Sequence, residues 1–117
     1  MSVFLIVMSF VIPLTLLILG VVYRTHYPKS INDRSGYRTT RSKQSLDAWI
    51  FAQKAFSKVS IQLGIVELVI TCIFVYFNMN QNAETLSWYV NGFAFVQILI
   101  MLLVIPIVEK KLKKEFE

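Results

Sequence analysis

Three long apolar runs constrain this chain more than any other feature. Val3 to Tyr23 and Leu86 to Val108 contain no charged residue, and Val59 to Phe77 contains one, Glu67. A hydrocarbon core about 30 Å thick needs roughly 20 helical residues, and each run has that length. Backbone groups in hydrocarbon must pair within a helix or around a closed barrel. Three strands cannot close a barrel, and the runs lack two-residue alternation. The chain therefore reads as an all-α integral membrane protein with three transmembrane helices in a single membrane domain, 1–117.

Composition agrees. The 117 residues are 56% hydrophobic and 16% charged, whereas a soluble domain carries about 25% charged residues. One cysteine, Cys72, and one histidine, His26, exclude an intramolecular disulfide and a Cys/His metal cluster. No cofactor is implied. The expected layout is a helix over 3–23, a basic loop over 24–44, an amphipathic plus transmembrane helix over 45–77, an outer loop over 78–85, a helix over 86–108 and a tail over 109–117. A cleaved signal peptide is the alternative for the first run. The opening Met1-Ser2-Val3-Phe4 supplies no positive n-region and no A-x-A site follows, so a retained helix is favoured.

Charge is one-sided. All 12 Lys and Arg fall between Arg24 and Lys58 or between Lys110 and Lys114, and 78–85 has none. The positive-inside rule makes the basic side cytoplasmic, with the N-terminus outside and the C-terminus inside a cell membrane. The net charge of +5 is then a topology signal, with anionic membrane lipids as its partner and no direct nucleic-acid role.

Polar residues inside the runs are the first candidates. Pro13 cannot donate to the Ser9 carbonyl, so a kink is expected there. Glu67 lies ten residues in from Phe77, Gln97 nine from Trp88 and Thr15 twelve from Val3. Those spacings put all three roughly 14–18 Å from the outer face, near mid-membrane. A carboxyl group there is either a protonatable or ligand-binding site or part of a polar clasp between helices. Trp88, Tyr89, Tyr76 and Tyr23 fit an interfacial belt, and Cys72 reads as a small buried residue.

The second group of candidates lies in the basic loop. Tyr27-Pro28, Asn32-Asp33 and Ser35-Gly36 mark turns. Ser45 is placed to cap a helix beginning at Leu46, where Leu46, Trp49, Ala52, Phe56 and Val59 recur at helical spacing. In Arg34 to Ser42, Gly36 allows a positive φ, Arg38 and Arg41 can fork onto phosphate or carboxylate, and Thr39 and Ser42 supply hydroxyls. Gly36-Tyr37-Arg38-Thr39, then Arg41-Ser42, then Trp49 and Ala52, resembles the signature of the SdpI-type bacterial immunity family. Members of that family carry a G-[YI]-R-T-x-x-[ST] turn between two membrane helices, followed by a helix with a tryptophan. The sequence departs from it at Thr40, where proline is frequent, and at Gln53, where asparagine or histidine is frequent.

The resemblance implies protection of a cell against a secreted, membrane-active peptide toxin. For some members it also implies capture of a cytoplasmic repressor. Gly36, Tyr37, Arg38, Thr39, Arg41, Ser42 and Trp49 are then candidates for partner or lipid contact. A competing reading is a small transporter or proton-coupled carrier around Glu67, which with three helices requires a homo-oligomer. An enzyme is disfavoured, because the sequence shows no paired carboxylates, nucleophile motif or phosphate loop.

Overall fold

The structure, a computed structural model, describes residues 3–117; Met1 and Ser2 lie outside it. The described residues form five helices and no strand: α1 (Val3–Ser9), α2 (Val11–Thr25), α3 (Leu46–Asn78), α4 (Ala83–Leu102) and α5 (Val104–Phe116). They make three rods long and apolar enough to cross a membrane: Val3–Thr25, Leu46–Asn78 and Ala83–Phe116. The first and third rods are each interrupted once, at Phe10 and at Leu103. Each interruption lies three residues before a proline, Pro13 or Pro106. A proline leaves the carbonyl four residues back without its helical donor, and the ladder breaks there.

α3 is the spine. Ser45 has extended backbone (φ −160°) and its side chain accepts from the Ala48 amide at 3.0 Å, with Asp47 in the first turn beside the positive helix end. No proline or glycine interrupts Leu46 to Leu63. Its 33 residues run about 50 Å, close to the longest dimension of the molecule, 52 Å. A 30 Å hydrocarbon layer covers only part of that. The surplus is the amphipathic extension, whose Ala48, Trp49, Ala52 and Ala55 are buried. At the other end Asn82 caps α4 by accepting from Thr85 N at 2.8 Å.

α2 packs along α3 more extensively than any other pair, α5 closes on α3 at the basic end, and α1 meets α4 at the opposite end. Outward-facing Ile18, Val21, Ile65, Val69, Phe95 and Leu99 are exposed, as lipid-facing residues must be when the solvent is hydrocarbon. Cys72 is also exposed, where burial was expected. Hydropathy does not separate a lipid-facing position from a helix-facing one.

The segment 109–117, expected as a tail, is helical through Phe116 as part of α5. Val104, Val108 and Leu112 are buried against α3, and the Phe116 ring meets Phe51 edge-on with centroids 5.5 Å apart. The four-residue spacing of these apolar positions carries the helix. Lys110, Lys111, Lys113 and Lys114 fill the other faces.

Candidate functional site

The basic loop is folded onto the helices by its own motif. Gly36 has φ +90°, and a Cβ there would lie 2.7 Å from Gln53 Oε1 and 3.0 Å from Pro28 Cγ. Only glycine satisfies both the backbone angle and the space. The close approach lets the Gln53 amide pair with one residue's main chain. Tyr37 N donates to Gln53 Oε1 at 2.7 Å, and Gln53 Nε2 donates to Tyr37 O at 2.7 Å. Gln53 is fully buried, so these bonds satisfy polar atoms that would otherwise be stranded. Gln53, one of the two departures from the family pattern, is thus the clamp on the motif backbone.

Next, the loop closes on itself. Ser42 Oγ accepts from Thr39 N at 2.8 Å and lies within donating distance of the Thr39 carbonyl (2.8 Å) and the Tyr37 carbonyl (3.3 Å). Ser42 N donates to Thr39 Oγ1 at 3.1 Å. Trp49 is wholly buried beneath the loop and its indole donates to Pro28 O at 2.8 Å. Proposed from sequence as a contact residue, Trp49 instead has no surface to offer a partner. Its periodic position on α3 faces the folded loop, and its one polar atom is already used.

The third set of bonds joins motif to α5 through Glu109, which the sequence did not single out. Tyr37 Oη donates to Glu109 Oε2 at 2.9 Å and Thr39 Oγ1 donates to the same oxygen at 3.0 Å. Arg41 Nη1 stands 3.6 Å from Glu109 Oε1, and Arg41 Nε pairs with Glu117. One carboxylate therefore gathers three side chains of the motif onto the end of the third rod. Burial, then the Glu109 hydrogen bond, push the Tyr37 phenol well above its ordinary pKa. Arg38 stays exposed, with Nη1 on the Asp33 carbonyl. Lys43 lowers the Asp33 pKa by its hydrogen bond and charge. Beside the motif lies a cavity of about 400 Å³ lined by Leu19, Tyr23, Gly36 to Thr39, Phe56 and Ile105.

Toward the opposite end is a smaller polar cluster. Gln97 is buried and donates twice through Nε2, to the Ser9 carbonyl at 2.9 Å and to Thr71 Oγ1 at 2.9 Å. Ser9 O is the carbonyl that Pro13 leaves without a donor, so α4 supplies what α2 cannot. Thr71 Oγ1 in turn donates to Glu67 O at 2.7 Å. Glu67 is 1% exposed, and among the described residues neither of its carboxyl oxygens has a hydrogen-bond partner. Thr15 is not in this cluster. It is exposed and donates to Val11 O at 2.7 Å. Depth along the rod matched, but depth does not fix the direction around it. Among the described residues no group of three or more His, Cys, Asp or Glu is placed to hold a metal.

The model of the SdpI/YfhL protein family matches residues 29–108, more than half of the chain. This chain belongs to the SdpI/YfhL family. The matched region runs from just before the motif loop to Val108, at the edge of Glu109. No curated protein and no solved structure matches the chain. Membership and the three apolar rods make it a multi-pass membrane protein of an immunity-type family.

Proposed function

We propose that this SdpI/YfhL member is a non-enzymatic immunity protein that protects a bacterium against a secreted, membrane-active peptide toxin. The family match over 29–108 carries the reading. The layout supports it. The motif is fastened internally by Gln53 and Glu109, which leaves Arg38 as its exposed cation. With the basic side toward the cytoplasm, Arg38 is the residue available to a cytoplasmic repressor. A toxin would arrive at the opposite end, nearer Glu67 and residues 78–85.

The test is survival. A toxin-sensitive strain expressing the wild-type chain is challenged with secreted membrane-active peptides, beside strains carrying Arg38→Ala at matched membrane abundance. The wild type raises survival, and Arg38→Ala loses the effect without loss of protein. Absence of protection against every peptide tested would remove the reading.

The orphaned carboxyl of Glu67 favours a second reading, a proton-coupled carrier that works as a homo-oligomer. Reconstituted vesicles with pH-dependent flux abolished by Glu67→Gln would support it, and vesicles without such flux would exclude it.

A further inference from the structure

α2 and α3 touch so closely at Gly20 that a Cβ there would lie 2.9 Å from the Ser57 carbonyl oxygen and 2.5 Å from Ile61 Cγ1. Ser57 Oγ donates to the Gly20 carbonyl at this crossing. Beside it, toward the basic end, a cavity of about 430 Å³ lies between the helices. It is lined by Arg24, Lys54, Ser57, Lys58, Ile61 and Gln62. Arg24 comes from the last turn of α2, while Lys54 and Lys58 stand one turn apart on α3.

Three cations share this cavity, and no carboxylate lines it. Among the described residues none of the three is ion-paired: Asp33 takes Lys43, and Glu109 and Glu117 take Arg41. Lys54 has only the ring of Tyr27, 5.9 Å away. Like charges at i, i+4 on a helix repel, and Arg24 adds a third from the facing helix. Such a set is relieved by an anion in the cavity, and guanidinium and ammonium groups suit phosphate.

Position selects the source of that phosphate. Arg24 directly follows the first apolar run and Lys58 directly precedes the second, so the cavity sits at headgroup level. Ile61 forms its deeper wall, and Ile65, one turn further into the span, is exposed. A cationic mouth above an apolar wall fits a lipid, with its phosphate at the cations and its acyl chain along the isoleucines. We propose that the cavity between α2 and α3 binds the phosphate of an anionic phospholipid, independently of the immunity function.

The purified full chain in neutral detergent is titrated with fluorescent phosphatidylglycerol. Wild type is expected to bind it saturably and to resist competition by phosphatidylcholine and by inorganic phosphate. Arg24→Gln with Lys58→Gln should weaken binding about thirtyfold, whereas Lys110→Gln with Lys114→Gln, an equal loss of charge elsewhere, should not. Equal weakening by both pairs, or equal binding of phosphatidylcholine, would overturn the proposal. Displacement by inorganic phosphate would overturn the lipid assignment in favour of a soluble anion. A photoactivatable phosphatidylglycerol on the wild-type chain gives a measurement free of folding effects. Crosslinks are expected at Ile61 and Gln62, and crosslinks confined to the outward faces of α4 would contradict the site.

Discussion

Removing the Gln97 side-chain amide tests how the polar cluster holds α1 and α3 against α4. Gln97→Leu keeps the bulk and deletes both donated bonds, to Ser9 O and to Thr71 Oγ1. Thr71 retains its bond to Glu67 O, so the main loss is at Ser9. Its carbonyl is then stranded, because Pro13 has no proton to give it. Interhelical hydrogen bonds in membranes average about 0.6 kcal/mol and reach about 1.7, while an unsatisfied buried group costs about 1–3 kcal/mol. The expected cost of Gln97→Leu is therefore about 1–2 kcal/mol. Pro13→Ala changes the arithmetic, since an alanine amide at that position can serve the Ser9 carbonyl within the helix. In that background Gln97→Leu should cost about 1 kcal/mol less, roughly a fivefold difference in unfolding equilibrium. Reversible unfolding in mixed micelles, followed by far-ultraviolet dichroism, measures all four proteins. An equal cost in both backgrounds would refute the claim that Gln97 replaces the donor proline removes.

Other outcomes follow from the motif. Glu109→Gln and Tyr37→Phe should be coupled by about 1–2 kcal/mol in a double-mutant cycle, the range for a hydrogen bond to a charged group discounted for Glu109's partial exposure; additive effects would deny the bond. The raised Tyr37 pKa means the folded state holds that proton more tightly than the unfolded one. Its stabilisation is complete below the unfolded pKa of about 10 and declines as pH rises above it. Unfolding midpoints should fall above that pH in wild type and fall less in Tyr37→Phe. Gly36→Ala should cost about 1–3 kcal/mol from the positive φ and the contact with Gln53; an unchanged midpoint would show that the loop does not need the approach.

Some of this architecture was open to reading and some was not, for physical reasons. Bilayer-length apolar runs announce spans, and Ser45 before Leu46 announces a cap, because both depend on local sequence. Proline chemistry identified Ser9 O as the stranded carbonyl, but its donor lies 88 residues away, beyond any local rule. Thr15 shows the converse: matching depth gave no azimuth. Glu109 was hidden in a segment read for its lysines, although the spacing of Val104, Val108 and Leu112 marks a helix that would bring it back to the bundle. Arg41 was recognised as a group able to fork onto a carboxylate. That the carboxylates are Glu109 of α5 and Glu117 just after it in the same chain required the fold. Gln53 looked like a departure from a pattern and is the residue that grips Tyr37.

The immunity reading depends on the clasped basic loop facing the cytoplasm. Sidedness is measured directly by labelling intact cells with a membrane-impermeant maleimide, in a Cys72→Ser background carrying either Thr40→Cys or Asn80→Cys, both at exposed positions. The Asn80→Cys protein is expected to label in intact cells, and the Thr40→Cys protein only after permeabilisation. The reverse pattern would place the motif outside the cell and overturn the inward-facing loop.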